Sequence, residues 1–262
     1  MMRSLNTAGT GMVAQQYNLD VIANNLANIN TTSFKQQRAE FQDLMYQTFK
    51  ASGVTTGNST VNPSSLQVGL GSVFSANASN FGAGPLQATG NALDVAINGE
   101  GFFQVQRTDG QIAYTRDGSF KRDSNGLLVS SDGYPVIPEI TIPGAATAIN
   151  IGNNGSVTAI LPGTNEPTEL GIIQIATFSN PAGLSRIGQN LYYPGGSSGE
   201  ATVANPGEGG SGDLTSRFLE GSNVQVVEEM VRMIMAQRAY EINSKAIQTA
   251  DDMLGQLNQL KR

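Results

Sequence analysis

The chain has 262 residues, 39% of them apolar and 14% charged, with a formal net charge of −6 and neither cysteine nor histidine. That length and apolar content suffice for one large domain or two with a real core. The missing residue types exclude thiol nucleophiles, disulfides, zinc fingers and imidazole acid–base catalysis. Residues 76–220 hold 13 acidic and 6 basic residues, whereas the rest hold 8 and 9. An acidic middle disfavours nucleic acid, which needs clustered Lys and Arg, and near-neutral ends pack against copies of themselves with little repulsion.

The first element is a helix. Leu5, Ala8, Met12, Gln15, Leu19, Ile22, Leu26 and Ile29 recur at alternating steps of three and four, apolar at all but Gln15, which is a heptad seam. The seam runs into "NNLANINTTSFK", Asn24 to Lys35, a stretch with four asparagines and no charge before Lys35. Asparagine is a mediocre helix former because its amide competes for nearby backbone groups, so this composition calls for neighbours that use the amides. The start of the chain lacks the basic head and unbroken apolar stretch of a secretory signal, and no apolar run approaches the roughly 18 residues that span a bilayer. Taken alone, these features predict a cytoplasmic protein without membrane insertion.

Next comes an irregular arm rich in Ser, Thr, Asn and Gly, with a short helix expected near Arg38 to Phe49 and "KASGVTTGNSTVNPSSLQVGLGS" as extended chain. From about Leu93 the pattern becomes β: "LDVAI", "GFFQVQ", "IAYTR", "LLVSS", "INIG", "SVTAIL" and "LGIIQIATF". Asp109-Gly110, Asp117-Gly118, Asn125-Gly126, Asp132-Gly133 and Asn154-Gly155 supply tight-turn chemistry between them. "NPGEGGSGD", Asn205 to Asp213, reads as an exit linker. A long C-terminal helix then follows, with Ser222 and Gln225 forming a capping-box signature at its start. Val224, Val227, Val231, Met235, Ala239, Ile242, Ala246, Ala250, Met253, Leu257 and Leu260 make its apolar stripe, at a mean step of about 3.6. Glu228 with Arg232 and Glu241 with Lys245 support other faces at i,i+4. Met230, Met233, Ile234, Tyr240, Ile247 and Leu254 lie off this stripe, an apolar surplus that one partner helix cannot cover. The fold class is thus α+β, with terminal helices flanking an inserted all-β domain.

Little in the sequence carries chemistry. The glycine clusters lack the GxxxxGK[ST] or strand-to-helix context that cradles phosphate. Asp117, Asp123, Asn125 and Asp132 do not follow the calcium-loop spacing, and Glu228-Glu229 and Asp251-Asp252 are helix neighbours that point about 100° apart. No cofactor, metal or catalytic residue is expected. The alternative from another class is a cell-wall hydrolase that uses carboxylates of the β domain, such as Asp94 with Glu100 or Asp117. No spacing favours it, and turnover of purified peptidoglycan would distinguish it.

"NNLANINTTSFK", "GFFQV", "YTRDGSF" and "SNVQVVEEMVRMIMAQRAYEINSKAIQTADDML" resemble the bacterial flagellar rod and hook axial proteins. The resemblance extends in order over nearly the whole chain. It implies a coiled-coil inner domain from residues 1–30 and 222–262, a connecting arm and linker from 31–75 and 205–221, and a β outer domain from 76–204. The implied role is that of a non-enzymatic subunit of the distal rod, stacking helically into a hollow shaft that carries torque from motor to hook. A hook or proximal rod subunit is the alternative within the family, although hook proteins usually carry a larger outer region. The implied partners are further copies of the chain, proximal rod and hook or hook-junction subunits, the ring proteins that act as a bushing, and a rod cap during assembly. The resemblance also replaces the cytoplasmic expectation with a periplasm-spanning basal body reached by flagellar export without a cleaved signal. Subunit contacts are then expected at Leu5, Met12, Leu19, Ile22, Leu26 and Ile29, at the amides of Asn24, Asn25 and Asn28, and at Val227, Val231, Met235, Ile242, Ala246, Met253 and Leu257. The family usually has Gly where this chain has Ser33, which bears on a left-handed turn there.

Overall fold

A computed structural model of the chain describes residues 2–52, 64–163 and 166–260. The chain divides into two compact units, one of Met1–Ala27, Gln37–Ser79 and Gln225–Arg262, the other of Asn28–Gln36 and Asn80–Val224. It therefore passes between them four times. The expected architecture of N- and C-terminal helices with strands in sheets is present, and the fold is α+β.

In the helical unit, α1 (Met2–Ala27) and α2 (Val226–Leu260) pack antiparallel. Gly11 lies against Asn243 and Asn25 bonds Glu229, two contacts 14 residues apart on each helix. The α1 seam is as expected: Leu5, Met12, Leu19 and Leu26 are half-buried, and Ala8 and Ile22 are buried. The helix stops at Ala27, however, because Asn28 to Asn30 form a turn, so Asn28 and Ile29 lie beyond it.

The short helix expected near Arg38 to Phe49 is instead β1 (Gln37–Asp43) and β2 (Tyr46–Lys50). β2 pairs with β3 (Leu66–Gly69), and β1 pairs with β4 (Ser72–Ser79), in one antiparallel ribbon joined by Leu44 N–H donating to Gly71 C=O at 2.8 Å. Partners far along the chain override local helix preference here. Phe74 of β4 stacks on Tyr17 of α1 with ring centroids 5.1 Å apart, and Phe41 meets Phe74 edge-on at 6.1 Å. Gly71 is required where the ribbon meets α1, since its φ is 114° and a Cβ would lie 2.1 Å from Thr10 Oγ1. Much of the expected extended arm is thus paired strand; its stretch 53–63 lies outside the described residues.

The β unit is built on a seven-stranded sheet running Ser185–Gly188, Leu191–Tyr193, Ile112–Thr115, Phe102–Gln106, Ile175–Thr177 and Thr202–Ala204, with Val136–Ile137 also paired to Phe102–Gln106. Here β5 is Leu86–Ala88, β6 Val95–Asn98, β7 Phe102–Gln106 and β8 Ile112–Thr115. β7 is buried on both faces. Phe103 and Val105 enter a core with Ile97, Phe120, Leu128, Ile142 and Ile175, and Phe102 joins Tyr114, Phe178 and Tyr192 in an aromatic cluster. "LGIIQIATF" is split between Thr168–Ile172, in a three-stranded sheet, and Ile175–Thr177. Gly110, Gly126, Gly133 and Gly155 take positive φ in the expected turns. Asn205 to Asp213 is no loose linker: it forms bonded turns, and Gly212 N–H donates to Glu100 C=O at 2.8 Å. Asp213–Ser216 then pairs with β6, and Phe218–Glu220 with β5.

The Ser222–Gln225 capping box does not form. Ser222 Oγ accepts from Val224 N–H at 3.3 Å, and Glu229 N–H donates to Gln225 C=O at 3.0 Å, so α2 begins four residues later at Val226. Among the described residues, no helix is long and apolar enough to cross a membrane.

Candidate assembly surface and the buried charge network

The face by which α2 meets α1 is not the one its largest residues predict. Glu229, Ala236 and Ala250 are buried and Met233, Asn243, Ile247 and Leu254 half-buried. The larger residues of the expected stripe point outward: Val227 is 75% exposed, Met235 67% and Ile242 66%, and Val231, Ala246 and Met253 are exposed as well, whereas Val224 and Ala250 of the same stripe are buried and Ala239 is half-buried. Small residues decide this. Ala236 and Ala250 let the helices approach, and opposite Gly11 a Cβ would stand 2.9 Å from Asn243 Nδ2. The side chain of Leu257 lies outside the described residues. Met230 and Ile234, also exposed, widen the apolar face of α2.

The ribbon adds to this surface. Met45, Tyr46, Phe49 and Leu66 are all exposed, although Arg3 lies 4.8 Å over the Phe49 ring. A cavity of about 970 Å³ opens between α1 and β4, lined chiefly by Leu5, Met12, Val13, Tyr17, Val73 and Phe74. A two-stranded ribbon with one exposed tier is marginal by itself in water. The helical unit therefore carries apolar surface that its own fold does not use.

The asparagines divide in role. Asn25 is 1% exposed; its Oδ1 accepts from Gln37 N–H at 2.9 Å, and its Nδ2 donates to Gln37 C=O at 2.8 Å and Glu229 Oε2 at 3.1 Å. Its amide is thus consumed within the chain, not held for a neighbouring copy, and Ile22, at 3% exposure, is likewise internal core. Asn28 Oδ1 accepts from the Thr31 hydroxyl at 3.1 Å. Asn24 is exposed on α1.

In the β unit, "NTTSFK", "YTRDGSF" and "FLEGSNV" meet at a buried carboxylate that sequence reading did not single out. Glu220 Oε1 accepts from Lys35 Nζ at 2.6 Å and Gly84 N–H at 2.8 Å, and Oε2 accepts from Arg116 Nε at 2.9 Å. All three side chains are 3% exposed or less. Lys35 also donates to Gly82 C=O at 2.8 Å, and Arg116 to Gly99 C=O at 2.9 Å and Gly101 C=O at 3.1 Å. Burial, then the Arg116 charge, pulls the Lys35 ammonium down to about 8 against the opposing pull of Glu220. Burial alone would raise Glu220, but the charges and hydrogen bonds of Arg116 and Lys35 outweigh it and hold the carboxyl below its ordinary range. Ser33 takes the left-handed conformation, φ 55°, without glycine. Its hydroxyl donates to Arg116 C=O and its N–H to Glu220 C=O, both at 2.8 Å, which offsets the cost of that conformation.

Asp94 and Asp117 among the candidate carboxylates serve turns. Asp94 accepts from Asn91 Nδ2 at 2.9 Å, and Asp117 Oδ1 accepts from Ser119 N–H at 3.1 Å. Among the described residues, no group of three or more acidic side chains is placed to hold a metal.

Three family models match the chain in order: flagella basal body rod protein over residues 5–35, flagellar hook protein FlgE/F/G D1 domain over 96–159, and flagellar basal body rod FlgEFG protein C-terminal over 215–260. The chain is 53% identical to the flagellar basal-body rod protein FlgG of Borreliella burgdorferi, with all of both chains covered. It is 48% identical to FlgG of Buchnera aphidicola subsp. Schizaphis graminum, covering 99% of this chain and 100% of that one, and 43% identical to FlgG of Bacillus subtilis, again over both whole chains. The three matched segments are those that supply the helix pair and the three residues of the buried charge network. The chain belongs to the FlgG family of flagellar basal-body rod proteins.

Proposed function

We propose that the chain is a non-enzymatic subunit of the distal rod, polymerising helically into a straight hollow shaft that transmits torque from motor to hook and passes exported subunits. The observation that carries this reading is the outward stripe of α2, with Val227, Met235 and Ile242 each about two thirds or more exposed in a chain of a rod family. Covering such side chains is worth roughly 1.5–3 kcal/mol each when complete, and a helical array of copies covers them repeatedly. Leu5, Met12, Leu19, Leu26, Val231, Ala246, Met253 and Leu257 complete the proposed contact set. In the shaft the helices form an inner coiled coil, the ribbon bridges copies, and the acidic β unit faces outward to the surrounding ring proteins. The remaining partners are proximal rod and hook or hook-junction subunits and the rod cap, which the chain joins by way of flagellar export. The test is polymerisation: purified chain should form straight hollow fibres seen by electron microscopy, without hydrolysing peptidoglycan. A chain that stays monomeric under all assembly conditions, or that turns over peptidoglycan, would refute the reading.

A further inference from the structure

Asn223 lies in the segment whose Ser222 and Gln225 predict a helix cap, yet its side chain serves another purpose. Its Oδ1 accepts from Gln36 N–H at 2.7 Å, its Nδ2 donates to Asn80 C=O at 2.9 Å and Gly82 C=O at 3.1 Å, and its own N–H donates to Phe34 C=O at 3.3 Å. Asn80 N–H in turn donates to Gln36 C=O at 2.8 Å. Gln36, Asn80 and Asn223 each stand within two residues of a point where the chain passes between the two units, leaving the β unit at 36/37 and 224/225 and re-entering it at 79/80. One amide therefore gathers three of the four crossings. No other neutral side chain of this length presents an acceptor and two donors at once.

We infer that Asn223 is a mechanical junction, fastening these three crossings into one element so that strain entering the β unit by one strand is shared by the others. The same economy appears in the helical unit, where Asn25 gathers the end of α1, Gln37 and the first turn of α2. The Glu220 network reinforces the Asn223 junction, since Lys35 and Glu220 reach Gly82 and Gly84 on the second of the three segments. The mechanical consequence rests on the rod reading; the junction itself does not.

The test uses the full chain. Asn223→Asp keeps the acceptor for Gln36 but turns an oxygen towards Asn80 C=O and Gly82 C=O. If the three segments move as one, backbone amides of both Gln36 and Asn80 should exchange about tenfold faster or more in the variant, while amides of β7 and β8 keep their wild-type protection. Gln36 retaining wild-type protection in Asn223→Asp would overturn the inference, because the crossings would then be independent. Should the β7 and β8 amides also open, Asn223→Ala carries the comparison: accelerated exchange at Asn80, whose own bond does not involve Asn223, supports the junction, and unchanged exchange there overturns it. Fibres of either variant should bend or twist more readily than wild type. Failure of wild-type chain to form fibres would count against the rod reading and leave the exchange result standing.

Discussion

Asn25 Nδ2 donates to the buried Glu229 Oε2 at 3.1 Å, and so joins the last turn of α1 to the first turn of α2. The pair accounts for an asparagine-rich helix end: a neutral amide can satisfy a buried carboxylate and a strand backbone together, which no charged residue does without adding a second desolvated charge. Asn25→Leu should leave Glu229 with Arg232, 3.3 Å away, and leave both backbone groups of Gln37 without their partner. The expected loss is about 1–3 kcal/mol of helical-unit stability, read as faster amide exchange in α1 and α2 with the β unit unchanged. Wild-type exchange in both helices would show that the amide is dispensable.

The two faces of α2 should respond oppositely in the monomer. Ala236, 3% exposed, has no room for a carboxylate, so Ala236→Asp should cost several kcal/mol and open the helix pair. Val227, 75% exposed, faces out, and Val227→Asp should change monomer stability by less than about 0.5 kcal/mol. Chemical denaturation monitored by helix content distinguishes them. Equal losses would mean that the buried and exposed faces are misassigned.

This exchange of faces marks what the sequence could and could not reveal. The α1 seam, the β runs and the tight turns were legible because each follows from local periodicity or turn chemistry. On α2, two apolar faces compete, and hydrophobicity ranks Val227, Met235 and Ile242 above Ala236, while Ala250 of the expected stripe is buried; which face turns inward depends on the close approach of Gly11 on α1 to Asn243 on α2. The pairing of Gln37 with Ser79 depends on a partner 42 residues away, so Arg38 to Phe49 read locally as a helix. Glu220 carried no signal, since its role needs Lys35 and Arg116 folded around it. Leu26 and Ile29 belong to one seam in sequence, but the helix ends between them.

Lys35 should titrate near pH 8, not at its ordinary 10.5, as read from the pH dependence of its side-chain NMR resonances. The unfolded chain keeps the proton up to about 10.5 and the folded chain releases it near 8, so between those values the unfolded state binds more protons. The Lys35 contribution therefore rises with pH across that window, and below it the buried ammonium costs a few kcal/mol at roughly 1.4 kcal/mol per pKa unit. Glu220 acts at the other end: its depressed pKa gives stability that is present above about 4.5 and lost as pH falls towards its folded value. Removing the Glu220 charge as Glu220→Gln should lower the Lys35 titration further, because Arg116 still repels it. A Lys35 titration at or above 10 would contradict the buried network.

Shortening Ser52 to Ser64, most of which lies outside the described residues, should leave polymerisation intact because the helix faces remain. It should give bent or flexible fibres, since the hydrogen bonds by which this segment is proposed to bridge copies, worth about 0.5–1.5 kcal/mol each, would be lost along the whole shaft. Straight fibres of unchanged bending stiffness would place the origin of rigidity in the β unit.

The central claim is that the outward face of α2 is the surface by which copies of this chain assemble. Its most direct test is electron microscopy of wild-type and Ile242→Asp chains under identical assembly conditions, with circular dichroism confirming that both are folded. Ile242 is 66% exposed, so the substitution spares the monomer, while in a shaft it would bury an unpaired carboxylate at every repeat. The account predicts straight hollow fibres from wild type and folded, unassembled monomer from the variant; fibres of normal length and number from Ile242→Asp would contradict it.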